Sequence, residues 1–155
     1  MVSVYNDTVT LFNRYQRRGG DIWYPTILRG VHVNIDKAAI IAKYGAESQD
    51  NALLHVRYST ENGQKMVAGK IWLPPKSWDM QTNDMLPQTI TFSSGTSFDF
   101  FFLGEWDDSE PIHDSDYSTD AGFYGFLNRN RDYVFAISSV GGPYSAIPHF
   151  EIMGR

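Results

Sequence analysis

Cysteine is absent from the 155 residues of this chain, which excludes a disulfide framework and any thiolate metal site. No run of about 18 apolar residues occurs, so no membrane-spanning helix is expected. Basic residues are in the minority, 13 Lys and Arg against 18 Asp and Glu, for a net charge of −5. A protein that grips nucleic acid displaces counterions from phosphates with Lys and Arg. The acidic balance therefore argues against direct DNA binding, while permitting a surface that DNA slides past. The opening Met1-Val2-Ser3-Val4-Tyr5-Asn6-Asp7 lacks the basic and apolar regions of a secretory signal. Together with the missing cysteines, this predicts synthesis in a reducing cytoplasm.

Catalytic and ligand motifs are missing too. No Gly-x-Ser-x-Gly elbow occurs, and no pair of carboxylates comes with a partnered base. Asp114, Asp116, Ser118 and Asp120 alternate as in the start of an EF-hand, but Thr119 stands where glycine is required and Gly125 where the bidentate Glu belongs. A solvated acidic loop is the better reading. Gly63 to Lys70 mimics a phosphate loop with one residue too many, and Ile71 replaces the Ser or Thr that would hold magnesium. The four histidines, His32, His55, His113 and His149, are scattered without paired spacing. His32 and His55 fall inside expected strands, where lone histidines are usually hydrogen-bonded structural residues. A three-ligand metal site assembled from distant strands is possible in a barrel, but no spacing favours it. The expectation is a protein that is not an enzyme, with no catalytic, cofactor or metal residues.

What the chain does carry is aromatic residues, 10 Phe, 9 Tyr and 4 Trp. They suit pleated, half-buried surfaces and cores, which is where most of them are expected. With 42% apolar and 20% charged residues, the composition is that of a globular chain, read as one domain over residues 1–155.

Periodicity predicts a mostly antiparallel all-β fold with one or two short helices. Asp7 to Tyr15 alternates as a half-buried strand, Arg17 to Asp21 turns, and Ile22 to about Asn34 returns, Pro25 suggesting an edge or bulge. Asp36 to Ala46 reads as two helical turns or an irregular strand. Leu53 to Thr60 and Met66 to Leu73 form strands around an Asn62-Gly63 turn. Lys76 to Pro87 and Asp107 to Asp120 read as long surface loops, and Gln88 to Ser93 as a short strand. Phe98 to Leu103 is apolar on both faces after Asp99, so it is buried on both sides or against a partner. Ala121 to Arg131 forms a short helix with Phe123, Phe126 and Leu127 on one side. The end is a strand Val134 to Ile137, a Gly-Gly-Pro turn, and a segment from Ile147 to Arg155 that still reads as strand. Such an ending belongs to a closed or wrapped β-structure.

The candidate interaction surface comprises Trp72, Pro74, Pro75, Trp78, Phe100, Phe102 and Trp106. Trp23 and Trp72 lie in strands and suit a core or an interface. Trp78 and Trp106 lie in or beside loops, where exposed aromatics mark contacts with protein or with carbohydrate. A carbohydrate- or receptor-binding module would rest on these two tryptophans. An enzyme would require at least two histidines to converge in one pocket.

Three stretches resemble the small virion proteins of tailed bacteriophages and prophages, in particular head–tail connector proteins of the stopper or head-completion kind. They are Tyr5 to Tyr15 with Trp23 to Val31, then Phe100-Phe101-Phe102-Leu103-Gly104-Glu105, then Ala136 to Val140 with His149 to Arg155. The chain departs from that pattern by insertions near 36–52, 74–87 and 107–120, which leave stopper, another neck protein and minor capsid protein all open. The resemblance implies a small β-barrel that self-associates into a ring, without cofactors or sequence-specific nucleic-acid binding. It implies a place in the virion between portal and tail, after synthesis in the bacterial host cytoplasm. In such a ring an acidic lumen repels DNA phosphates, and the neighbours meet through a heterologous interface.

Overall fold

A computed structural model describes residues 5–35 and 51–155. The element expected at Asp36 to Ala46 lies outside the described residues. The strands are β1 (Asp7–Tyr15), β2 (Ile22–Ile35), β3 (Ala52–Arg57), β4 (Ser59–Glu61), β5 (Gln64–Val67), β6 (Lys70–Trp72), β7 (Thr89–Ile90), β8 (Phe100–Leu103), β9 (Ile112–His113), β10 (Val134–Tyr144) and β11 (His149–Gly154). Two short helices, α1 (Pro75–Asp79) and α2 (Phe123–Asn130), and three 3₁₀ turns complete the described elements.

Six strands close on themselves in the order β1-β8-β10-β11-β3-β2, with β2 pairing back onto β1. Every pairing in this barrel is antiparallel, so the expected antiparallel β-barrel is what forms. Alternation along the strands explains the closure. Val9 and Leu11, Leu54 and Val56, Phe101, Phe135 and Ile137, and Phe150 and Ile152 all join one interior cluster. Side chains fill this interior, as the small girth of a six-stranded barrel requires. Gly154 is part of that fit: a Cβ there would sit 2.8 Å from Phe135 Cβ and 3.2 Å from Phe101 Cε1.

The intervening residues of β1, β8 and β10 point outward and are covered as well. Phe12, Phe100, Phe102 and Val134 meet Trp23, Phe123 and Leu127 in a second, aromatic cluster under α2. Strand β8 is thus buried on both faces within one chain, which explains its unbroken apolar run. Asp114 ties this layer down, accepting hydrogen bonds from Trp23 Nε1 at 2.9 Å and from Phe123 N at 2.8 Å. The acidic stretch is therefore a 3₁₀ segment pinned to the barrel, and one of its carboxylates is already committed.

A small sheet in the order β4-β5-β6-β7 hangs from β3, and its Val67 and Ile90 reach the interior cluster. Here the sequence expectation needs correcting. The strand expected from Met66 to Leu73 is two strands, because Ala68 (φ 53°) and Gly69 (φ 75°) make a second tight turn. Alanine carries no signal for that left-handed conformation. The pairing of β6 with β7 is parallel, also unforeseen. Gly141-Gly142-Pro143 is not the turn of the last hairpin. It lies inside β10, where the register slips between Gly141 and Tyr144, and the chain reverses after Tyr144 pairs with His149. Pro25 occupies the part of β2 that pairs with β1 alone, between its contacts to β9 and β3, so its missing N–H has an open side to face.

A histidine row on the barrel wall

Burial removes much of the expected interaction surface. Phe100 and Phe102 are 0% and 1% exposed in the aromatic cluster, and Trp78, on α1, is 2% exposed against Ile22, Tyr24 and Leu86. Trp78 was read as exposed because its loop lacks period, but α1 swings its ring back onto the hairpin. Trp72 is half-buried, its ring 5.1 Å from Phe150, and Trp106 is half-buried, edge-on to Phe12 and Phe123. Pro74 and Pro75 are exposed at the start of α1. Trp78 thus lies in a core, and Trp106 is wedged in the aromatic layer.

Asp99 is the most perturbed carboxyl. It is fully buried, and desolvation pushes its pKa up to about 7 against the pull of hydrogen bonds and the Arg14 charge. It lies at the floor of a shallow cleft of about 160 Å³ shared with Arg14, Lys76, Thr91 and Ser93. Its oxygens are engaged: Oδ1 accepts from Arg14 N at 2.8 Å, and Oδ2 from Asn13 Nδ2 and Ser93 N, each at 2.9 Å. That is a strut joining β1 to the segment after β7.

The wall opposite the aromatic layer carries a different chemistry. Because Phe150 and Ile152 face the interior, His149 and Glu151 share the outer face of β11. Glu151 stands opposite His55 on β3, and His55 stands opposite His32 on β2. Three histidines and a glutamate thus form one cross-strand patch. The His55 and His149 rings lie 6.0 Å apart and 22° from parallel, with the His32 ring 5.9 Å from His55 on the far side. Tyr144 covers the other face of His149 at 5.1 Å.

Distances within the patch are short. His149 Nε2 lies 3.2 Å from Glu151 Oε1, and His55 Nδ1 lies 4.0 Å from the same oxygen. The second nitrogen of His149, Nδ1, is 2.5 Å from the Ile147 carbonyl oxygen and donates to it. That bond, and then Glu151, raise the His149 pKa above the ordinary imidazole value. His32 Nδ1 is 3.8 Å from Asp7 Oδ2, while His113 is exposed on β9, away from the row. Sequence reading treated the histidines as scattered. The signal it missed is His149-Phe150-Glu151, in which a buried aromatic forces its two neighbours onto one outer face.

The fold and the patch together define a closed, filled antiparallel β-barrel with a polar histidine wall. The chain belongs to DUF6751, a family of unknown function, and the match covers residues 4–155. No curated protein and no solved structure matches it. Among the described residues, no helix is long and apolar enough to cross a membrane.

Proposed function

We propose that this protein is a structural component of a tailed-bacteriophage or prophage virion, acting in the head–tail connector. The observation that carries the reading is where the resembling stretches fall. Residues 5–15 and 23–31, 100–105, 136–140 and 149–155 supply β1, β2, β8, β10 and β11, five of the barrel strands. Of the segments that depart, 74–87 and 107–120 form α1, β9 and 3₁₀ turns, β9 pairing with β2, while residues 36–50 lie outside the described residues. The elements shared with the connector pattern therefore supply five of the six barrel strands, the sixth being β3.

On this reading the barrel is a building block and its filled interior is no conduit. DNA passes through the hole of a ring of copies, past acidic surfaces that do not hold phosphate. Neighbouring copies and the portal and tail sides meet exposed apolar features. These are Ile147 (68% exposed) and Tyr144 at the tip of the last hairpin, and Met80 (85% exposed) after α1. The test is a phage lacking this gene, with cryo-electron microscopy of complemented particles. The expected result is unsealed or tailless heads without the protein, and density for its barrel at the neck when it is restored. Infectious particles assembled without it, or density away from the neck, would refute the proposal.

A further inference from the structure

His55, His149 and Glu151 have the composition and spacing of a metal-ligand set. One nitrogen or oxygen from each lies within 4.8 Å of the other two. Around a tetrahedral ion with bonds of roughly 2.0–2.1 Å, ligand atoms stand about 3.3–3.5 Å apart. The His149–Glu151 separation of 3.2 Å already meets this, and His55 to Glu151 at 4.0 Å nearly does. Closing the widest gap asks for a displacement on the order of 1 Å, which half-exposed side chains make by small rotations within a rotamer well.

Two further features act in the same direction. The hydrogen bond from His149 Nδ1 to the Ile147 carbonyl turns Nε2 toward Glu151, so that a cation, a proton or a metal ion, joins the two. Metal-bound histidines are oriented by this kind of outer contact. The His149 ring is also held between Tyr144 and His55, so little freedom remains to be lost on binding. The backbone then supplies rigidity, since the ligands come from the two hydrogen-bonded strands β3 and β11 rather than from loops.

We propose that His55, His149 and Glu151 bind a first-row divalent transition metal, zinc above all, on the outer wall of the barrel. Two imidazoles and one carboxylate suit zinc, nickel or copper, whereas calcium and magnesium call for oxygen ligands. Three protein ligands leave one position for water or for a donor from a partner molecule. The bound ion clamps β11 to β3. The proposal does not depend on the virion assignment, and neither stands or falls with the other.

The full chain, stripped with a chelator, is titrated with zinc chloride by calorimetry and with cobalt(II) by visible absorption. The expected result is one ion per chain at micromolar affinity or tighter, with the intense cobalt bands of a four-coordinate site. His55→Gln and Glu151→Gln each weaken binding roughly tenfold or more, while His113→Gln leaves it unchanged. A second readout needs no variant: zinc protects His55 and His149, and not His113, from acylation by diethyl pyrocarbonate. Millimolar or non-stoichiometric binding, cobalt spectra of the hexaaquo ion, or equal acylation with and without zinc overturns the proposal.

Discussion

Replacing Asp99 by Asn tests the electrostatics of the core, and its size follows from the burial of one carboxyl. Asp99 is 1% exposed. Desolvation lifts its pKa from 3.8 to about 7, opposed by the hydrogen bonds from Arg14 N, Asn13 and Ser93 N and by the Arg14 charge. The folded state thus holds the Asp99 proton more tightly than the unfolded chain does. The resulting stability is complete below pH 3.8, declines as pH rises, and is gone above about pH 7. At 1.36 kcal/mol per pKa unit the full decline is on the order of 4 kcal/mol. In Asp99→Asn this titration is absent, but the amide NH₂ must face one of three donors, which costs about 1–3 kcal/mol at every pH. Urea unfolding of both proteins from pH 4 to pH 8 gives a difference curve in which the other carboxylates cancel. The wild-type advantage is expected to be largest near pH 4 and to shrink by several kcal/mol by pH 8. A flat difference curve removes Asp99 as a titrating group. One that rises with pH shows that the three hydrogen bonds outweigh desolvation and hold the carboxylate ionised.

Other substitutions probe the packing. Asp114→Ala removes the shared acceptor of Trp23 Nε1 and Phe123 N, and is expected to cost about 2–3 kcal/mol in chemical denaturation, with a shift in tryptophan fluorescence as the indole loses its partner. Gly154→Ala forces a Cβ to within 2.8 Å of Phe135 Cβ; a loss of about 1–3 kcal/mol is expected, and an unchanged urea midpoint means β11 yields at its end. Ala68→Gly relieves a left-handed residue at φ 53° and is expected to raise the melting temperature, by a stabilisation of up to about 1 kcal/mol; a lower melting temperature refutes strain at that turn.

Legibility in the sequence followed the range of the interaction that decides each element. The β1–β2 hairpin, the Asn62-Gly63 turn and helix α2 are set by local period and turn chemistry, and β1 and β2 end within a residue of expectation. Ala68-Gly69 and the Gly-Gly-Pro bulge were misread because tertiary pairing overrode the local signals. Tyr144 continues β10 because His149 lies opposite it, and no periodicity reveals that. The two-sided burial of Phe100 to Phe102 was readable, yet it carried two explanations, a second layer of the same chain or a subunit. Helix α2 supplies the first. The histidine row was least readable of all. Its members lie on β2, β3 and β11, and only the register of those strands brings His32, His55 and Glu151 into line.

Closure of the barrel constrains how copies of this chain can associate. Closure shortens the ladder of unpaired backbone groups along the wall, although residues 24–31 of β2 pair with β1 alone and keep one backbone side open. Further free edges belong to the small appended sheet and to β9. Of these, β4 is three exposed polar residues, Ser59, Thr60 and Glu61, a short and charged edge of the kind that discourages pairing. The wall formed by β1, β8 and β10 is sealed under α2, whereas the outer faces of β3 and β11 keep His55, His149 and Glu151 half-exposed. The hairpin tip bearing Tyr144 and Ile147 projects beside that second wall, and the Tyr144 ring rests on His149. An apolar knob and a metal-competent patch thus share one side of the molecule. A partner that seats on the knob comes within reach of the open coordination position, which makes this side, rather than the aromatic one, the face to search for contacts.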